Sequence, residues 1–357
     1  MEIKEQLKTT YAGKKVYITG HTGFKGSWLV RVLQLLGAEV KGYALAPAYE
    51  NTLFHFFNYQ QSIQSEFGDI LNKDQLMKSI LDFQPDYIFH LAAQPLVRDS
   101  YARPSYTFDV NATGTANVLD AVRLLEKPCQ VICITTDKVY ENREWVHPYR
   151  ETDELGGYDP YSASKAAAEI VIQSYRRSFF NPKSYTQHNK SISVARAGNV
   201  IGGGDWSTDR LIPDIIKAMF EGRPVIVRNP NAIRPWQHVL EPVIGYLLLG
   251  QKQTIDPIAY AQAYNFGPEI DDTLAVETLV KKVITTWGSG SYDVQVNPNA
   301  PHEAGILRLD ISKAYLELGW KPKWKASDSI QNTVAWYKNH TGDIQSITDQ
   351  QIDAYWN

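Results

Sequence analysis

The chain has 357 residues, 43% of them hydrophobic and 21% charged, ordinary globular proportions that set aside disordered and fibrous classes and leave material for one large α/β domain or two closely joined ones. Its formal net charge of −3 supplies no general field for nucleic acid or acidic membrane, so no nucleic-acid partner is expected and any anion site must be a local pocket. The opening MEIKEQLKTTYAGKK is charged where a signal peptide would be apolar, and no later apolar run approaches the ~20 residues that span a bilayer, so a cytoplasmic protein with no membrane partner is expected.

From Lys15 onward, short apolar runs rich in β-branched residues alternate with longer helical patterns, the rhythm of βαβ units and a parallel sheet. Strands are predicted at residues 16–19, 40–44, 87–91, 131–135 and 193–197, and helices begin near Phe24, Asp74, Thr107, Pro160 and Arg210. These spacings make the crossovers long enough to carry parallel neighbours. The expected fold class is α/β, a doubly wound parallel Rossmann sheet with a smaller C-terminal substrate-binding lobe. After Asn199 the alternation loosens into GGGDWSTDR, RNPNAIRPWQHV and residues 298–304. Residues 1–198 are therefore assigned to a dinucleotide-binding domain, to which later segments return, and 199–357 mainly to the second lobe. No repeat, low-complexity tract or long linker separates the two, so they are expected to share an interface. Cys129 and Cys133 lie around a strand start without the Cys/His cluster that would complete a zinc site; they read as buried packing thiols, and no metal is expected.

Gly20-His21-Thr22-Gly23-Phe24-Lys25-Gly26 follows the first strand and precedes a helix. A GxxGxxG at such a turn lets backbone approach a pyrophosphate where helix N-terminal amides favour an anion. At the end of the second strand the chain reads Gly42-Tyr43-Ala44-Leu45, with neither a carboxylate for ribose hydroxyls nor an arginine for a 2′-phosphate; NAD is favoured over NADP. Asp69 could touch the adenine, or could cap the helix that follows. Asp159-Pro160 reads as a helix start, and Tyr161 and Lys165, four apart, share one face of that helix. A phenol near ~10 is a poor base at neutral pH, but an adjacent ammonium favours the phenolate, so the pair can deprotonate a hydroxyl. Thr135-Thr136-Asp137-Lys138 stands at the carboxyl end of a predicted strand, the edge where open parallel sheets hold ligands.

Taken together, GxxGxxG, Asp69-Ile70, Leu91-Ala92-Ala93, Asn111 in Asn-Ala-Thr-Gly-Thr, and Tyr161 with Lys165 resemble the extended short-chain dehydrogenase/reductase family over nearly the whole chain. Within it, the stretches beginning at Gly20, Ala92, Gly156 and Arg228 are similar to the nucleotide-sugar dehydratase branch acting on CDP-glucose. Related dehydratases of dTDP-glucose have Asp-Glu where this chain has Asp137-Lys138. The resemblance implies NAD held by Gly20, Thr22, Gly23, Phe24, Lys25, Gly26, Asp69, Ile70, Leu91, Ala92, Ala93, Asn111, Thr135, Tyr161 and Lys165.

It also implies a reaction. Tyr161 would take the proton of the glucose 4-hydroxyl, with Thr136 on the same oxygen and Lys165 supporting the phenolate. The 4-ketone would acidify the C5 hydrogen, and Asp137 would protonate the departing 6-hydroxyl. Lys138 is a hypothesis for the C5 base, since a model ammonium near ~10.4 must lose its proton first. NAD would carry hydride internally, giving CDP-4-dehydro-6-deoxyglucose and water. Arg234 is the expected diphosphate partner, with Arg308, Asn199 and Gln94 as further substrate contacts; nothing in the sequence reads the cytosine. A homodimer or higher homo-oligomer is implied, paired through helices containing residues 107–125 and 161–179. The alternatives are a nucleotide-sugar 4-epimerase, a dehydratase for another nucleotide, and a non-catalytic dinucleotide sensor, which would have no need of Tyr161 and Lys165.

Overall fold

The computed structural model describes residues 3–295 and 305–357. Residues 298–304, named above among the loosened segments, lie outside that range. Seven parallel strands form the central sheet: β1 (Lys15–Thr19), β2 (Glu39–Ala44), β3 (Gln64–Phe67), β4 (Tyr87–His90), β5 (Cys129–Thr135), β6 (Lys190–Ala197) and β7 (Ala263–Phe266). Their spatial order is β7-β6-β5-β4-β1-β2-β3. The chain builds outward from β1 to β3, then crosses back to lay β4 against the other side of β1. Val16 is thus opposite Val40 on one flank and Tyr87 on the other. That reversal opens a crevice at the carboxyl ends of β1 and β4, the place where a doubly wound sheet binds its ligands.

The inner strands read as continuous apolar runs because both of their faces are covered. Ile18, Ile132 and Ala195 join a cluster with Trp28 and Leu247, whereas their neighbours Tyr17, Val131 and Val194 join one with Leu119 and Val122. Helices Phe24–Leu35 and Leu240–Ile255 cover the first face; Lys73–Phe83, Gly114–Arg123 and Pro160–Ser178 cover the second. The two cysteines are buried, unpaired packing residues, and burial pushes both thiols up to about 12.

Two strands had no counterpart in the sequence reading. β3, Gln-Ser-Glu-Phe, is a partly exposed edge strand with no apolar run, and β7 is four residues long between polar loops. β7 pairs with β6 and helix Leu240–Ile255 packs beside it, so the segment 199–357 returns a helix and a strand to the first body. The helix read from Thr107 starts at Pro104 and passes through a π turn at Asp109–Thr113, which carries Asn111.

Beyond β6 the chain also forms short strand pairs and helices Leu211–Glu221, Val276–Trp287, Ala326–Lys338 and Ile344–Trp356. Buried polar contacts tie this part of the chain to the elements around the central sheet. The Trp28 indole donates to the Gly203 carbonyl at 2.9 Å, and the buried Glu241 carboxylate accepts from the Trp324 amide and the Tyr355 hydroxyl, both at 2.7 Å. Among the described residues no helix is long and apolar enough to cross a membrane.

Candidate active site

A cavity of about 440 Å³ opens at the carboxyl edge of the sheet, a size suited to a small-molecule ligand. Phe24 and Lys25 enter it from the glycine turn, Thr136 and Lys138 from the end of β5, Tyr161 from the helix Pro160–Ser178, and Asn199, Arg210 and Arg234 from the chain beyond β6.

The turn after β1 is closed by its glycines. Gly20 has φ 81°, and a Cβ there would stand 2.8 Å from the Ala92 amide; a Cβ on Gly26 would overlap the Gly20 carbonyl. Gly23 caps the helix and its amide donates to Gly20 at 3.1 Å. The result is a tight, glycine-built helix N-terminus that abuts the cavity through Phe24 and Lys25; it fits the pyrophosphate of a dinucleotide. Thr22 steadies the turn by donating to the Leu45 carbonyl at 2.9 Å. Leu91, Ala92 and Ala93 continue β4 alongside, with the Ala92 amide bonded to Thr19 at 3.2 Å. Asp69 accepts from the Leu71 amide at 2.9 Å and its carbonyl accepts from the Tyr43 hydroxyl, which fixes the loop before Ile70.

At β5 the backbone stays extended through Thr136 and then makes a 3₁₀ turn over Asp137–Val139. The Thr136 hydroxyl donates to Asp137 Oδ1 at 2.9 Å and lies within hydrogen-bond reach of the Tyr161 phenol. Asp137 is fully buried, and its Oδ2 has no protein partner among the described residues. Gly198, which the sequence did not single out, lies against this carboxylate: a Cβ there would overlap it. Lys138 Nζ stands 3.6 Å from Asp137 Oδ1 and is partly exposed to the cavity.

Tyr161 is set by its helix start. Asp159 accepts from the Ser162 amide at 2.9 Å and Pro160 occupies the first helical position. Burial pushes the Tyr161 phenol up to about 12, while the Thr136 hydrogen bond and the Arg210 charge draw it down. One turn on, Lys165 donates to the Ile134 carbonyl at 3.0 Å, and burial lowers its ammonium to about 8. Lys25 is lowered to about 7, by burial first and then by the charges of Arg210 and Lys165.

Some residues expected to meet ligand are committed elsewhere. Thr135 donates at 2.7 Å to Glu169 behind the site and does not line the cavity. The Asn111 amide is spent on Gln94 and on Ser164, and the Gln94 amide on Leu96 and Thr107, so both brace the loop after β4. Arg234 does line the cavity, held by the Ile233 and Gly305 carbonyls at 3.0 and 3.1 Å. Asn199 lines it with φ 46° and a buried Oδ1 that has no protein partner among the described residues. Arg308 stands outside the lining, though Leu307 is part of it.

The sequence reading missed most of the cationic wall. Arg210 lies 3.1 Å from Asp205, and Arg98 and Arg228 meet on Asp209 at 3.3 and 3.1 Å. Their scattered positions carry no periodic signal. Also missed was the buried pair of Glu169 with Arg196 of β6, at 2.8 Å through Nε; stranding either charge would cost roughly 3–5 kcal/mol.

Residues 17–333 match the family described as GDP-mannose 4,6 dehydratase. The CDP-glucose 4,6-dehydratase of Salmonella typhimurium (strain LT2) is 47% identical over 331 residues, covering 93% of this chain and 92% of that protein. The dTDP-glucose 4,6-dehydratase of Shigella flexneri is 24% identical, covering 93% and 95%. Among solved structures, the dTDP-glucose 4,6-dehydratase of Streptomyces venezuelae with NAD bound aligns at a TM-score of 0.78 and 22% identity over 93% of this chain and 99% of that one, a likeness of fold.

Proposed function

The chain belongs to the GDP-mannose 4,6 dehydratase family, and from that premise we propose that it is an NAD-dependent CDP-glucose 4,6-dehydratase, converting CDP-glucose to CDP-4-dehydro-6-deoxyglucose and water. The observation that carries the reading is the meeting of Thr136, Lys138 and Tyr161 around one cavity, with the buried Asp137 carboxylate directly behind them, 2.9 Å from the Thr136 hydroxyl and 3.6 Å from the Lys138 ammonium. The 47% identical relative supports CDP-glucose as the substrate.

Gly20, Gly23 and Gly26 with Ala92 would hold NAD at the helix N-terminus, and the end of β2 offers no cation for a 2′-phosphate. Bound there, NAD would supply the acceptor for the hydride of the sugar's C4 and the donor for its return to C6. The protein's work is to move protons. Tyr161 takes the proton of the 4-hydroxyl, and Thr136 holds the same oxygen. The Thr136 hydroxyl and the Arg210 charge favour the phenolate that burial opposes, and Lys165, one turn on along the same helix, is proposed to support it.

Once C4 is a ketone, elimination needs a base at C5 and an acid at the 6-hydroxyl. Lys138 and Asp137 as an ion pair carry the same number of protons as a neutral amine beside a carboxylic acid. One proton passed across the 3.6 Å gap therefore converts the resting pair into the working base and acid. Arg210, Arg228 and Arg234 supply positive charge for a diphosphate without giving the chain a positive net charge.

The protein is further proposed to be cytoplasmic and homodimeric. Exposed Phe108 and Leu124, at the ends of helices Pro104–Phe108 and Gly114–Arg123, and Ile170 and Phe179, along helix Pro160–Ser178 and at its C-terminus, suit a second copy. CDP-glucose carrying deuterium at C4 tests the internal cycle: the deuterium is expected at C6 of the product, with no NADH accumulating. Deuterium lost to the medium would contradict it.

A further inference from the structure

Behind the cavity, the chain buries a polar network that the proton transfers above do not use. Glu169, 1% exposed, sits one turn beyond Lys165 on helix Pro160–Ser178. Its carboxylate accepts from Thr135 at 2.7 Å and from Arg196 Nε at 2.8 and 3.1 Å. Arg196 lies beside Thr135 in the sheet register and donates also to the Tyr140 hydroxyl at 2.7 Å. Tyr140 donates in turn to Asn265 of β7 at 2.7 Å, and Tyr140 lines the cavity. One carboxylate thus joins the catalytic helix to the end of the strand that delivers Thr136 and Asp137.

Besides pairing with Arg196, the Glu169 carboxylate faces a second buried cation, Lys165. The groups facing the Lys165 ammonium are Cys133 from β5, His90 from β4, Lys25 from the glycine turn and Glu169 from its own helix. Of these, His90 is kept neutral by burial and Lys25 repels the ammonium, so Glu169 is the group that offsets the cost of burying it. Facing Glu169 in turn are Arg196, Arg176 and Tyr140.

We propose that Glu169 is a positioning residue for the dehydration: acting through Lys165 and Thr135, it keeps a negative charge beside the lysine that supports Tyr161 and fixes the end of β5 against the helix. The inference rests on the reaction proposed above. Its test uses the full chain labelled with ¹³C at the lysine ε carbons, the Lys165 resonance being assigned by Lys165→Arg. In Glu169→Gln the Lys165 titration is expected to move to lower pH by about one unit, as for loss of an opposite charge within a few ångströms. The alkaline limb of kcat is expected to move with it.

Should Glu169→Gln fail to fold, Glu169→Asp keeps the pair with Arg196 but withdraws the carboxylate by one methylene, and a smaller shift in the same direction is expected. A Lys165 titration unmoved in the folded variants, with the parent enzyme turning over CDP-glucose, would overturn the role of Glu169 alone. A moved titration with a parent enzyme inert on every glucose nucleotide would instead overturn the reaction on which that role rests.

Discussion

Asp137→Asn is expected to slow water loss from CDP-glucose by about 10²–10⁴-fold, the contribution of a positioned general acid, while leaving oxidation at C4 in place. The argument starts from the pocket around the carboxylate. Asp137 is fully buried, Oδ1 accepts from Thr136, Oδ2 has no protein partner among the described residues, and a Cβ on Gly198 would overlap the carboxylate. An amide has the same shape and can still accept from Thr136, so the fold and the Tyr161 contact should persist. What it lacks is a proton to give to the leaving hydroxyl. Hydride taken from C4 would then have no elimination product to return to, and NADH absorbance should rise and stay. Dehydration at the parental rate would show that another group is the acid.

Tyr161→Phe is expected to cost about 10²–10⁴-fold as well, but with a different signature: neither water loss nor NADH. Removing the phenol oxygen deletes the group proposed to take the C4 hydroxyl proton, and with it the contact to the Thr136 hydroxyl. The helix start does not depend on it, because Asp159 and Pro160 cap the turn and the Tyr161 amide donates to Ser100 at 3.1 Å. Thermal stabilisation of the variant by added NAD should therefore be retained, as it measures binding and not chemistry. Accumulating NADH in Tyr161→Phe would contradict the assignment of the base.

What the sequence disclosed was local. The glycine turn follows an apolar strand directly, the 3.6-residue period puts Tyr161 and Lys165 on one helix face, and Asp159-Pro160 marks where that helix begins. What it concealed depends on register. Thr135 and Thr136 are adjacent, yet the alternation of a strand sends the first to Glu169 and the second into the cavity. Glu169 finds Arg196 because β5 and β6 align Thr135 with Arg196, a pairing that no linear pattern announces. Gly198 became visible as a site residue when β6 brought it against Asp137, and Arg210 when the chain beyond β6 placed it in the same cavity lining as Thr136 and Tyr161. β3 escaped notice for another reason: as an edge strand half in solvent it needs no apolar run.

The most direct test of the central claim is to offer the purified protein CDP-, dTDP-, UDP- and GDP-glucose separately with NAD, following each sugar nucleotide by mass spectrometry and NADH by absorbance. Loss of one water from CDP-glucose alone, without net NADH, is the predicted result. Water loss from none of the four, or preferentially from another nucleotide, would contradict it.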